Sequence, residues 1–217
     1  DYMKAMYYGT EAEVIFESLN DINNTIITKG NLGIVYIDIG KFEKAEILYL
    51  ELLDHYKKTN EKSDLANTYE KLGVIKFYKG YYASARKYYT DAYNLYKELQ
   101  KELEASIELG NIGETYEMEG KYSKAIEYYK KAVVIEKKYN YYSGMIFLYQ
   151  ALGRSYFKLR NYTRARQSYF KSIEYINKIG EIRELPNAYK LLHELYAKTG
   201  NYRKAYEFSL KENEMND

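Results

Sequence analysis

The sequence predicts an all-α fold, a superhelix of stacked helix pairs, and three observations carry that prediction. A pattern of small and aromatic residues returns every 40 residues without insertion or deletion, which is the mark of a stacked-repeat architecture. Apolar residues inside each copy recur at helical spacing, as in Leu65, Tyr69, Leu72 and Ile75, so that they share one face of a helix. The 217 residues contain a single proline, as a chain of uninterrupted helices requires.

The clearest copy runs from Asn111 to Tyr129 and carries Ile112-Gly113, Tyr116, Gly120, Tyr122, Ala125 and Tyr129. Forty residues earlier stand Leu72-Gly73, Gly80, Tyr82, Ala85 and Tyr89, and forty before those Leu32-Gly33, Tyr36, Gly40, Phe42, Ala45 and Tyr49. The same register gives Leu152-Gly153, Tyr156, Tyr162, Ala165 and Tyr169, then Leu192, Tyr196, Gly200, Tyr202 and Ala205.

Laid on this register, Tyr2 falls on Phe42, Lys4 on Lys44 and Ala5 on Ala45, so residues 1–20 read as the second helix of a truncated repeat. Met3, Met6 and Tyr7 are then expected to expose apolar surface, a contact for self-association. The whole chain, 1–217, reads as one array, with repeats at about 24–60, 63–100, 103–140, 143–180 and 183–214. First helices are expected near 24–38, 64–79, 103–119, 143–159 and 185–199. Second helices are expected near 42–59, 82–99, 122–139, 162–178 and 202–214.

Gly40, Gly80, Gly120 and Gly200 fall between paired helices, where a left-handed residue closes the first of them. Arg160 takes that place in the fourth repeat, so strain or a reshaped turn is expected there. Between repeats Asn60, Ser63, Asn140 and Gly180 offer breaks and caps. Pro186 suits only a first turn, which puts the start of its helix close to Leu185.

Gly33, Gly73, Gly113 and Gly153 lie inside helices, where each costs roughly 1 kcal/mol relative to alanine. Close backbone approach is the expected compensation, with each glycine facing the small Ala45, Ala85, Ala125 or Ala165 of the partner helix. His193 fills the same slot in the last repeat, so a splayed pair or a ring turned aside is expected there.

Bulk composition removes several classes of function. Lys and Arg number 33 against 31 Asp and Glu, a net charge of +2, which gives no electrostatic case for nucleic acid or an anionic membrane. No cysteine is present, so disulfides, thiolate metal sites and cysteine nucleophiles are absent. The opening DYMKAMYYGTEAEV has neither the basic nor the apolar region of a signal peptide, and no apolar run nears the roughly 20 residues of a membrane span.

His55 and His193 stand far apart in the register and build neither a zinc site nor a triad. Gly30-Asn31-Leu32-Gly33 and Gly110-Asn111-Ile112-Gly113 have loop-like glycine spacing but lie mid-helix, without a preceding strand or a Gly-Lys-Ser/Thr ending. No carboxylate pair stands out as an acid and base. An enzyme is not expected, and no cofactor or metal is implied. The 30 tyrosines read as large hydrophobes with a wettable tip.

The recurring Leu-Gly, the tyrosine three residues later, and the following Gly, aromatic, Ala and Tyr resemble the tetratricopeptide repeat. The interval of 40 resembles its long-repeat subgroup, and the resemblance covers essentially the whole chain, with departures at Lys76, Arg160, His193 and Ser209. The final segment from Ile182 is also similar to the last repeat of bacterial sensor modules.

The resemblance implies a non-catalytic scaffold in which first helices line a concave groove that binds a protein or peptide. Register then picks Asn31, Asn67, Lys71, Phe77, Asn111, Glu114, Phe147, Gln150, Arg154, Phe157 and Lys190 as groove residues. Carboxamides there satisfy peptide N–H and C=O groups together, and the phenylalanines hold apolar side chains. Asn31 and Asn111 match the asparagines with which the subgroup grips a ligand backbone. Ile34, Val74, Glu114 and Arg154 replace the second asparagine usual three residues on. The resemblance favours the cytoplasm and a place in a larger bacterial signalling or regulatory protein. A periplasmic sensor domain, an input segment controlling a kinase, cyclase or DNA-binding output, and a structural spacer are the alternatives.

Overall fold

The computed structural model describes residues 2–215. Its eleven α-helices are α1 (Tyr2–Ser18), α2 (Ile22–Asp38), α3 (Phe42–Thr59), α4 (Lys62–Tyr78), α5 (Tyr82–Glu98), α6 (Glu102–Met118), α7 (Tyr122–Lys138), α8 (Tyr142–Lys158), α9 (Tyr162–Ile179), α10 (Leu185–Lys198) and α11 (Tyr202–Glu214). One 3₁₀ turn, Ile182–Glu184, leads into α10, and Pro186 sits in the first turn of that helix. No strand occurs among the described residues. The chain packs as two compact units, one holding α1–α5 up to Lys101 and the other beginning at Glu102.

The geometrical beat is half the sequence beat. Positive φ recurs at Asn20, Gly40, Asn60, Gly80, Gln100, Gly120, Asn140, Arg160, Gly180 and Gly200, once every 20 residues. Each of these residues ends one helix and turns the chain into the next, so the turns within and between repeats share one backbone solution. Asn60, Asn140 and Gly180 therefore act as helix stops, as expected. Ser63 does not cap: α4 begins a residue earlier, after Glu61, and the Ser63 hydroxyl accepts from Lys101 at 2.7 Å.

Arg160 leaves the turn unreshaped, since its φ of 58° lies beside the 72–79° of the four equivalent glycines. Holding a side chain in that region costs about 1–2 kcal/mol. Arg160→Gly should therefore raise the stability of the folded chain by about 1 kcal/mol, read as a higher urea midpoint by circular dichroism. An unchanged or lowered midpoint would mean that the arginine side chain offsets its backbone strain.

The helix-interior glycines meet a different partner from the one expected. A β-carbon on Gly33 would stand 2.6 Å from the ring of Tyr49, and one on Gly73 2.5 Å from that of Tyr89. At Gly113 the distance to Tyr129 would be 2.7 Å, and at Gly153 the added carbon would overlap Tyr169 outright. Each glycine is thus a notch for a tyrosine laid across the helix, and the alanines one turn earlier are buried without being its nearest contact. The rings bury large apolar area and offset the glycine penalty. The last repeat reverses the sizes: His193 replaces glycine and Ser209 replaces tyrosine, and the His193 Nδ1 lies 3.0 Å from the Ala205 carbonyl oxygen.

Other contacts keep the same register. In three helix pairs the start of the first helix is tied to the last turn of its partner: Lys62 to Glu98, Lys138 to Glu102 at 2.6 Å, and Lys178 to the Tyr142 hydroxyl at 2.8 Å. A cation lies over a tyrosine eight residues earlier in four repeats, Lys44 on Tyr36, Lys124 on Tyr116, Arg164 on Tyr156 and Lys204 on Tyr196, at 5.3–5.6 Å. Lys76 breaks this column and binds Glu46 instead. Much of the tyrosine excess is therefore structural, in notches and under cations. In α1, Met3 and Tyr7 are exposed while Met6 is half-buried.

Candidate functional site

The site residues fall on the first-helix face of each unit. In the unit built from α1–α5, Asn31 and Asn67 are exposed and carry no fixed role in the packing. Lys71 Nζ reaches Glu70 Oε1 at 2.6 Å. Phe77 is half-buried, edge-on to Tyr78 and Tyr82 at 5.7 and 5.6 Å, and so serves the turn into α5.

The second unit is more tightly organised. Arg154 on α8 donates from Nε to Glu117 Oε1 on α6 at 2.9 Å and from Nη2 to Oε2 at 3.3 Å. This forked, half-buried pair is stronger than a single-point contact. The Tyr129 hydroxyl of α7 donates to Glu117 Oε2 at 2.7 Å, and burial, reinforced by the Glu117 charge, drives its pKa far up. Burial lowers the Arg154 pKa, but the Glu117 charge and hydrogen bond more than offset it, and the cation holds. Glu114 is also raised by burial, with Arg154 pulling the other way and Glu117 adding to the rise. Glu117 thus clamps α6, α7 and α8 together.

One repeat further on, the buried Gln150 accepts from Asn187 Nδ2 at 2.8 Å, joining α8 to α10, while its own Nε2 meets no partner. Asn111 donates to Glu108 Oε2 at 3.3 Å. Phe157 is half-buried against Tyr162 at 5.6 Å, in the same turn position as Phe77. Phe147 is exposed, edge-on to Tyr129 at 6.5 Å, and Lys190 is exposed. The fold therefore brings Asn111, Glu114, Phe147, Gln150 and Arg154 onto neighbouring helices, while Phe77 and Phe157 sit at the ends of α4 and α8 and pack on Tyr82 and Tyr162.

Two cavities flank Phe147. One of about 330 Å³ is lined by Ser143, Ile146, Phe147, Gln150, Glu181 and Glu184. The other, about 250 Å³, is lined by Ile107, Gly110, Asn111, Glu136, Tyr141, Ser143, Gly144, Phe147 and Leu148. A larger open groove of about 950 Å³ is lined from α7, α8 and α9, with Lys130, Val134, Tyr156, Arg164, Phe170 and Lys171 on its walls. Glu136 escaped the sequence reading, although its register column holds the signal. Phe16, Tyr56, Tyr96 and Ile176 occupy the equivalent register position in four other copies, and Asn216 in the last.

Profiles described as tetratricopeptide repeat match residues 11–98, 106–139 and 148–178. Solved structures of similar fold include BtubC (BKLC) from P. vanneervenii, at 17% identity, with a TM-score of 0.85 over 100% of this chain and 91% of that one. Aspartyl phosphate phosphatase F from Bacillus subtilis follows at 16% identity and TM-score 0.83, over 100% of this chain and 66% of that one. A Rap protein complexed with competence and sporulation factor gives 17% identity and TM-score 0.72, over 99% of this chain and 70% of that one. A sequence comparison with curated proteins finds no match. The chain belongs to the tetratricopeptide-repeat family, and its fold is the helix–turn–helix solenoid of that family. Such repeats are typically non-catalytic protein-interaction modules. No described helix is long and apolar enough to cross a membrane.

Proposed function

We propose that the chain is a non-catalytic scaffold that binds a protein or peptide segment along the first helices α6, α8 and α10, within a bacterial signalling or regulatory protein. The observation that carries this reading is Phe147, 39% exposed between two cavities. The cavity on one side offers the unpartnered donor of Gln150, and that on the other the unpartnered Glu136 Oε2. An exposed ring between an unfilled donor and an unfilled acceptor suits a segment that presents an apolar side chain flanked by polar groups. The Glu117–Arg154 fork and the Gln150–Asn187 bond hold the helices in place beforehand, which reduces the ordering needed on binding. The relative solved with a bound factor supports an interaction role by analogy of fold.

The test is recovery of partners by the immobilised chain from a bacterial lysate, compared with Asn111→Ala combined with Phe147→Ala. Recovery of at least one partner should fall by tenfold or more, while helical content and melting temperature stay within a few degrees. If the double variant recovers every partner as the parent chain does, this face is not the binding surface.

A further inference from the structure

The cavity beside Phe147 holds a carboxyl group with one oxygen that the fold leaves unpaired. Glu136 is 2% exposed, near the end of α7, and its Oε2 has no hydrogen-bond partner. Leaving a buried carboxyl oxygen unsatisfied costs about 1–3 kcal/mol or more, and an aromatic or aliphatic residue stands at this register position in four other copies, Phe16, Tyr56, Tyr96 and Ile176, with Asn216 in the last. Space around the oxygen has also been cleared. A β-carbon on Gly144 would overlap Glu136 Oε2 and stand 2.6 Å from the Tyr141 ring. The equivalent positions in other repeats are Asn24, Asp64, Glu104 and Glu184, so glycine occurs only beside the buried carboxyl.

Other groups around the cavity complete a recognisable set. Ile107, Phe147 and Leu148 supply apolar walls, and Asn111 and Ser143 polar ones. The titratable neighbours are Glu108 on α6, bonded to Asn111, and Tyr141 in the α7–α8 turn. Neither is a cation, and the Ser106 hydroxyl is the hydrogen-bonding group that acts on the carboxyl. A carboxyl at the end of an apolar shaft is complementary to a positive charge on a hydrocarbon stem.

We infer that this cavity is a specificity site for a primary alkylammonium, its charge on Glu136 and its methylenes between Ile107, Phe147 and Leu148. The group arrives either as a lysine side chain of a bound segment or as a free amine. The inference deepens the proposed use of this face and rests on it only for the lysine source. Burial raises the Glu136 pKa to about 7, with Ser106 acting in the opposite direction. The empty site is therefore largely neutral at mildly acid pH and ionises to receive the cation as pH rises.

The test uses the full chain and n-butylammonium chloride, with n-butanol as the uncharged control, followed by amide NMR at Gly110, Asn111 and Gly144. At pH 8 the ammonium should shift these amides with at least tenfold higher affinity than the alcohol, and the advantage should shrink at pH 5.5. Glu136→Gln, of equal size, should remove the difference. Gly144→Ala, which places a methyl against the same oxygen, should abolish binding of both probes. Equal affinity for ammonium and alcohol, or ammonium binding that survives Glu136→Gln, would overturn the inference. If butylammonium binds, a lysine-containing peptide that competes with it identifies the lysine source, and one that does not identifies a free amine. The outcome is separate from the partner recovery above, because the probe needs no bound segment.

Discussion

Gly153→Leu should destabilise the folded chain by about 3 kcal/mol, at the upper end of what overpacking costs. The added β-carbon alone would overlap the Tyr169 ring, which is buried and has nowhere to swing. Leucine gains roughly 1 kcal/mol in helix propensity over glycine, but the helices must part to admit it. Tyr169→Ser should cost a similar amount for the opposite reason, because it leaves a ring-sized hole. The last repeat, with His193 and Ser209, shows the two sizes exchanged. Gly153→His combined with Tyr169→Ser copies that pair and should cost less than Gly153→His and Tyr169→Ser added together, by about 1–2 kcal/mol. Urea unfolding of the four proteins, followed by circular dichroism, measures the coupling. Strict additivity would mean that glycine and tyrosine do not act as a unit.

Glu136→Ile should stabilise the chain by roughly 2 kcal/mol at pH 8 and by little at pH 4.5. The sign follows from the carboxyl being held near 7 in the fold against an ordinary value of 4.5. Between those values the folded chain binds the proton that the unfolded chain has lost, so stability falls as pH rises through the window and levels off above about 7. Isoleucine, the residue at the equivalent Ile176, has no proton to exchange and fits a buried slot of the same kind. Thermal unfolding at pH 4.5, 6, 7 and 8 should show a declining difference between pH 4.5 and 7 in the parent that the variant lacks. Parallel profiles would show that Glu136 does not carry the pH dependence. The loss of stability at neutral pH is the expected mark of a group kept for binding, since isoleucine would serve the core better.

Most of the fold was legible in the residues. The 40-residue recurrence located every helix pair, and the left-handed residues marked the stops because glycine and asparagine tolerate positive φ. The site was less legible. Register alone put Phe77 and Phe157 on the binding face, but each ring turns toward the next helix and packs on Tyr82 or Tyr162. Register places a β-carbon on a helix face, while the rotamer, chosen by the neighbours, decides where the ring ends. Glu136 was visible as the one acid in a column of Phe, Tyr, Tyr, Ile and Asn. Reading it required comparison down the register rather than along the helix.

The sequence by itself determined the repeat length, the helix pairs, the turns and the family, because these follow from backbone propensity and from a pattern that recurs in the chain. Only the tertiary structure decided that each interior glycine receives a tyrosine rather than an alanine, that Glu117 joins three helices, and that a buried carboxyl faces an open cavity. Those outcomes depend on side-chain size and direction across helices about 20 to 40 residues apart in the chain. Close packing settles them once the helices meet.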